Sequence, residues 1–82
     1  MPKDTRRAQE FFSGTGAFTK TFRGDREELV LINDGSADLT FTAGATTFTL
    51  KPGEVFDEEI NPFSAIDVTA TGSFRGYVRE DA

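Results

Sequence analysis

Apolar and polar residues alternate with a period of two along most of the chain, from Phe18 to Arg79. The alternation is clearest in residues 39–42, 66–69 and 74–79. Because successive side chains of a β-strand point to opposite faces of a sheet, this pattern predicts strands with one buried and one exposed face. The sequence therefore predicts an all-β fold, a small antiparallel β-sandwich or barrel of about six to seven short strands separated by turns.

The apolar positions of these strands are rich in phenylalanine, and large rings let a small domain bury much area per residue. No helical periodicity follows residue 17, so the sequence predicts no helix in this part of the chain. The expected core is formed by the large apolar residues Leu29, Leu31, Phe41, Phe48, Phe56, Phe63, Ile66, Val68 and Phe74.

Residues 1–17 do not alternate and are expected to form a flexible basic N-terminal arm. Residues 13–16 contain two glycines, and a helical turn over residues 6–12 would be too short to be stable alone. Phe11 and Phe12 are the apolar residues of this arm, and we expect them to occupy a pocket on the chain's own body or on a neighbour's. The predicted segments are the arm at 1–17, a β-domain at 18–79 and a frayed tail at 80–82.

Charge is distributed unevenly along the chain. Residues 1–26 carry six basic and three acidic side chains, whereas residues 27–82 carry three basic and eleven acidic ones, and the net charge of the whole chain is -5. A basic leading segment on an acidic body favours docking on another subunit, with charge steering the encounter and apolar burial holding it. Arg6, Arg7 and either Phe11 or Phe12 are the residues expected to make this contact.

The chain has 82 residues, of which 37% are hydrophobic. A domain of this size buries only about 60% of the surface of its unfolded chain, so small domains usually gain stability from disulfides, metals or further subunits. Cys and His are absent, which removes disulfides and most zinc, copper and iron sites. Association with further subunits is therefore the expected source of stability.

The same absences exclude most catalytic arrangements, because neither Ser–His nor Cys–His nucleophile pairs can form. We expect the protein not to be an enzyme and to have no cofactor and no small-molecule substrate. The basic start of the chain is not followed by an apolar stretch, and no run of about 18 apolar residues occurs. A soluble protein with no membrane contact, made in a cytoplasm, is expected.

Carboxylates offer the remaining chemistry. Asp57 and Glu59 lie two residues apart, on one face of a strand, with Glu54 nearby. They indicate either a solvated edge that discourages unwanted strand pairing or oxygen ligands for calcium. Residues 34–38 lack the spacing of a calcium loop, so a turn capped by Asp side chains is expected there. Residues 14–16 are too short to cradle a phosphate, and the sequence predicts no strand before them and no helix after them.

The last strand carries a basic and aromatic face formed by Arg75, Tyr77 and Arg79. These side chains are either cross-strand partners of Asp57 and Glu59, or a surface for contact with another protein, because Tyr and Arg are over-represented among interface anchors. Nucleic acid is not an expected partner. Phosphate neutralisation dominates affinity for nucleic acids, and the acidic body would repel the polymer.

Three stretches each combine strand residues with a turn motif. Residues 31–41 contain the turn NDG, residues 48–56 contain KPGE, and residues 62–72 end in TATG. Over residues 29–79 the chain resembles small β-rich proteins encoded among the virion genes of tailed bacteriophages and prophages of Gram-positive bacteria. The resemblance implies a virion structural role, as head decoration, head fibre, connector or tail component. It also implies location in the virion after synthesis in the bacterial host cytoplasm, and it transfers no catalytic residue.

Charge, size and resemblance together predict a non-enzymatic virion protein that self-associates and attaches to a capsid or tail lattice through its N-terminal arm and sheet surfaces. Its expected partners are itself and other virion proteins. The alternative is a small carbohydrate- or surface-binding β-sandwich module. Such modules usually display aromatic platforms, and the chain has no Trp and one Tyr, which argues against sugar stacking.

Overall fold

The computed structural model describes the backbone of residues 6–81 and the side chains of residues 8–79. Residues 6–81 form six β-strands and no helix, which confirms the predicted all-β class. The strands are β1 (Arg6–Thr15), β2 (Phe18–Asn33), β3 (Leu39–Ala43), β4 (Thr46–Leu50), β5 (Val55–Thr69) and β6 (Ser73–Asp81). They form one antiparallel sheet in the order β1-β6-β2-β5-β3-β4. Within the described chain, no helix long and apolar enough to cross a membrane is present.

β2 and β5 are each longer than the short strands that the sequence predicts. β2 has 16 residues, and a straight strand of that length would extend about 53 Å. Because the longest dimension of the molecule is 41 Å, β2 must bend, and its register with β5 shifts on both sides of Arg26. In β5, the pair Asn61-Pro62 lies inside the strand, although these residue types usually break strands. Not all of the strands are therefore short.

The bend in β2 folds the sheet over on itself. Residues 28–33 of β2 pair with β6, whereas residues 18–21 pair only with β5. Even so, Phe18 at the start of β2 contacts Phe74 of β6, with ring centroids 5.5 Å apart. A single core can therefore form between the two halves of one sheet.

The core is one cluster of apolar side chains between these halves. Seven of the nine predicted core residues are buried, while Phe48 and Phe56 are half-buried and pack against the edge of the cluster. The prediction of the core is thus confirmed in its main part. Further buried apolar residues in the cluster are Phe12, Phe22, Leu39, Ala43, Leu50 and Val78.

Residues 6–15, expected to belong to a flexible arm, instead form the edge strand β1 and pair with β6. Phe12 is only 9% exposed and belongs to the core, so its pocket lies on the chain's own body. β1 is therefore part of the same sheet as the predicted β-domain. The tail differs from expectation as well, because the backbones of Glu80 and Asp81 pair with β1. Residues 1–5 and Ala82 lie outside the described residues.

Asn33, at the end of β2, is a buried polar residue that ties three segments together. Its Oδ1 accepts a hydrogen bond from the Gly35 N–H at 2.9 Å. Its Nδ2 donates to the carbonyl oxygens of Ala37 at 2.9 Å and Leu50 at 3.1 Å. The cap of this turn is therefore Asn33 and not Asp34, which corrects the expectation of an Asp cap. Because all polar atoms of the side chain are bonded, its burial is tolerated.

Candidate protein-docking face

The side of the sheet opposite the core carries a mixed apolar and charged surface, which we call the outer face. Strand alternation creates it, because Phe74, Gly76 and Val78 of β6 are buried on the core side and the residues between them point the other way. The outer face consists of Phe11 and Ser13 of β1, Arg75, Tyr77 and Arg79 of β6, Glu28 and Ile32 of β2, and Val55, Asp57 and Glu59 of β5. Val30 of β2 lies on the same side of the sheet but is buried.

Phe11 reaches the outer face because β1 bulges at Glu10. The register of β1 with β6 shifts between Gln9 and Phe12, and Glu10 has a φ of 53°, the only positive φ of a non-glycine residue among the described residues. A bulge re-aims the side chains that follow it. Phe12 consequently enters the core, whereas Phe11 stays 68% exposed.

The Phe11 ring lies against Tyr77 on the neighbouring strand. Their ring centroids are 5.1 Å apart and their planes are inclined by 47°. Beside this pair lies a groove of about 330 Å³. Val55 is 56% exposed and is the register partner of Ile32, so it extends the apolar surface. The groove is lined by Phe11, Phe12, Ser13, Ile32, Arg75, Gly76 and Tyr77, among which Arg75 is the only charged residue.

Arg79 forms the charged border of this surface on one side. Its Nη1 lies 2.7 Å from the Asp57 Oδ1 and 3.9 Å from the Glu28 Oε1. Its guanidinium lies 5.7 Å from the centre of the Tyr77 ring. The predicted cross-strand partnership is thus present between Arg79 and Asp57. Glu59 is exposed and lies opposite Glu28 in the strand register.

Arg75 forms a second charged border and pairs with a residue that the sequence did not suggest. Its Nε donates to the Asp34 Oδ2 at 2.8 Å, across 41 residues of sequence. The two side chains are 63% and 36% exposed. Exposed ion pairs of this kind stabilise a fold by at most about 1 kcal/mol. Both partners can therefore be drawn into contacts with another molecule at little cost to the fold.

Behind the bulge, the Glu10 carboxylate binds basic residues of β2. It accepts hydrogen bonds from the Arg26 guanidinium and, at 3.2 Å, from the Arg23 backbone N–H, and Lys20 Nζ lies 4.0 Å away. Burial raises the pKa of Glu10, but these hydrogen bonds and positive charges together outweigh it, so the pKa lies below its ordinary value. Part of the basic leading segment is therefore neutralised inside the same chain.

The Glu10→Gln variant is expected to be less stable by about 1–2 kcal/mol at neutral pH, because Arg26 keeps its charge while its partner loses one. The side chains of Glu10 and Arg26 are only 13% and 10% exposed. Since the folded pKa of Glu10 is lowered, its contribution is present above the unfolded pKa of about 4.3 and is lost as pH falls through the folded pKa. Urea unfolding at several pH values checks this. Glu58→Gln, at an exposed position of β5, is the matched control, and an equal loss in both variants would contradict the prediction.

The described part of the chain contains no group of three or more His, Cys, Asp or Glu side chains arranged to hold a metal ion. Two of the carboxylates that suggested calcium have other contacts. Glu54 Oε1 accepts the Lys51 N–H at 2.7 Å, and Asp57 pairs with Arg79. The outer face offers apolar area bordered by charges of both signs.

The structure brings most of the predicted interface residues together, but not in the predicted way. Phe12 is buried, and Arg6 and Arg7 contribute their backbones to β1 while their side chains lie outside the description. Ile32, Val55 and Asp34 were not predicted. A signal for Ile32 existed, because strict alternation through the apolar run 29–32 places it opposite Leu31. The predicted residues that meet on the outer face are Phe11, Asp57, Glu59, Arg75, Tyr77 and Arg79.

Comparison of the chain with protein-family models, with curated proteins and with solved structures finds no match.

Proposed function

We propose that this chain is a non-enzymatic assembly protein that attaches to another protein subunit through its outer face. The observation that carries the proposal is the position of Phe11, a large ring that is 68% exposed beside the groove and against Tyr77. Apolar patches rimmed by polar residues mark sites of interaction with other proteins. The neighbouring Phe12 already packs in the core, so the fold does not require Phe11 to be buried.

The composition of the outer face supports a protein partner. Tyr, Phe and Arg are enriched at protein interfaces, and Tyr and Arg are enriched among the residues whose truncation weakens binding most. Phe11, Tyr77, Arg75 and Arg79 combine these residue types within one surface. The complementary partner surface would present an apolar side chain for the groove and a carboxylate close to Arg75.

The resemblance of residues 29–79 to small virion proteins supplies the setting of this proposal. The partner is then a capsid, connector or tail protein, and the chain is located in the virion after synthesis in the host cytoplasm. Self-association is part of the same proposal, since virion proteins build order from many copies. Lys20 and Arg26 of β2 no longer support an attaching arm, because Glu10 binds them within the chain.

Phe11→Ser is expected to weaken binding to the partner at least about tenfold, since an aromatic anchor contributes about 2 kcal/mol or more. The measurement is biolayer interferometry of the purified chain against each purified protein encoded by the flanking genes. Because Phe11 is exposed, the variant should unfold close to the wild-type midpoint.

Two controls separate loss of the anchor from general damage. Phe11→Leu keeps an apolar side chain at the groove and should retain most of the binding. Ala45→Ser alters the exposed turn between β3 and β4, away from the outer face, and should bind like the wild type. If no flanking protein binds the wild type, or if Phe11→Ser binds equally well, the proposal is wrong.

The carbohydrate-binding alternative predicts a different use of the same rings. Sugar stacking needs an accessible flat aromatic surface, whereas the planes of Phe11 and Tyr77 are inclined by 47°. A glycan array with the wild type and Phe11→Ser distinguishes the two functions. Specific glycan signals that disappear in Phe11→Ser would favour the alternative over protein docking.

A further inference from the structure

The two edges of the sheet differ in how they are protected against pairing. Among the described strands, β1 and β4 lie at the edges. β1 contains Arg6, Arg7 and Glu10 and has a bulge, and both charge and bulges discourage strand addition. β4 contains neither charge nor proline, and its register with β3 is continuous. β4 therefore lacks the features that protect β1 against pairing with another strand.

The hairpin geometry identifies the backbone groups that β4 exposes. β3 and β4 are joined by the two-residue turn Gly44-Ala45, and the φ of 63° at Gly44 suits a type II′ turn. In such a hairpin the pair flanking the turn is hydrogen-bonded, and the pairs alternate from there. The N–H and C=O groups of Thr47 and Thr49 therefore point away from β3. No described strand pairs with that side of β4.

We propose that β4 pairs antiparallel with β4 of a second copy of this chain, about a two-fold axis at Phe48. The inference rests on the self-association in the proposed function and adds its surface and register. In this register Thr47 faces Thr49 of the second copy, and the reverse, so the outward groups of both residues exchange hydrogen bonds. An isologous contact of this kind needs a self-complementary strand.

The residues of β4 suit a second copy of the chain as the occupant. The chain carries a net charge of -5, so two copies repel, but pairing at residues 46–50 places no like charges opposite one another. Thr–Thr and aromatic cross-strand pairs are favourable. Phe48 is already held at the edge, because its ring stacks on Phe41 with centroids 5.0 Å apart. Phe48 of each copy thus meets its equivalent with little reordering.

Two double variants test the register directly. T47K/T49K places Lys opposite Lys at both pairs, whereas T47K/T49E places Lys opposite Glu. Both variants lose the hydrogen bond between the hydroxyls of Thr42 and Thr47, so they are matched in that respect. Sedimentation equilibrium of the full chain should show a dimer for the wild type and for T47K/T49E. The dimer dissociation constant of T47K/T49K should be at least about tenfold higher.

A third variant tests the pairing independently of the two double variants, in case these fail to fold. Thr49→Pro removes an N–H that points away from β3, so the β3–β4 ladder remains while the dimer weakens. Circular dichroism confirms the fold of each variant. Phe11→Ser should dimerise like the wild type, so loss of the outer-face proposal and loss of this one are distinguishable. A wild type that stays monomeric up to about 1 mM, or equal dimerisation of T47K/T49K and T47K/T49E, overturns the pairing.

Discussion

Asn33→Asp is expected to destabilise the fold by about 3–4 kcal/mol at neutral pH, although it changes one NH₂ group into one oxygen. Asn33 is 1% exposed. Its Nδ2 donates to the carbonyl oxygens of Ala37 and Leu50, and a carboxylate has no hydrogen to donate to either. The variant therefore buries a negative charge against two acceptors, with the Gly35 N–H as its single donor.

The pKa of the new carboxyl should shift in the direction opposite to that of Glu10. Burial and the two carbonyl oxygens raise the folded pKa of the new carboxyl above its unfolded value of about 3.9. The penalty is therefore greatest at neutral pH and shrinks as pH falls through the folded pKa, where a protonated carboxyl donates one of the lost bonds.

Urea unfolding of the variant at neutral and acidic pH, followed by far-ultraviolet circular dichroism, measures both effects. Asn61→Asp is the matched control, because Asn61 is exposed on β5 and the same chemical change there should cost less than about 0.5 kcal/mol. Equal stability of the two variants at neutral pH would contradict the role assigned to Asn33.

The sequence predicts the strands wherever one face of a strand is more buried than the other. Residues 39–43 alternate between buried and less buried positions as predicted, and so do residues 66–69. It could not predict that β2 and β5 continue through Gly24 and Asn61-Pro62, which usually break strands. Continuity there depends on a bend that lets each strand serve both halves of the sheet, and a bend is a tertiary property without a local signal.

The candidate site was predictable in part for the same reason. Arg75, Tyr77 and Arg79 share a face by alternation alone, and their proximity to Asp57 required only that β2, β5 and β6 be neighbours. Phe11 was named as the anchor of a flexible arm, whereas its exposure results from the bulge at Glu10. Pairing of Arg75 with Asp34 depends on long-range register, which single-sequence patterns do not contain.

Gly76→Ala is expected to cost about 3 kcal/mol of stability and to loosen β1 in particular. A methyl group at Gly76 would lie 2.5 Å from the Val30 carbonyl oxygen and 2.7 Å from Cζ of Phe12. The Val30 carbonyl belongs to the backbone of β2 and cannot turn aside, so the Phe12 ring and the strand that carries it must move. Hydrogen exchange should consequently show that the variant protects its β1 amides less than the wild type does, whereas the protection of the β3 amides changes less.

Gly24→Ala is the matched control, because a Cβ at Gly24 meets no atom within 4 Å. Without a clash, the smaller entropy of the unfolded chain leaves this variant equal to the wild type or slightly more stable. If the free energy of unfolding of Gly76→Ala lay within about 1 kcal/mol of that of Gly24→Ala, with unchanged exchange in β1, the packing of Phe12 would not depend on the missing side chain at Gly76.

Because Phe12 and Phe11 are adjacent in β1, displacement of the buried ring also moves the exposed one. Weaker partner binding by Gly76→Ala would then show that the core controls the geometry of the outer face.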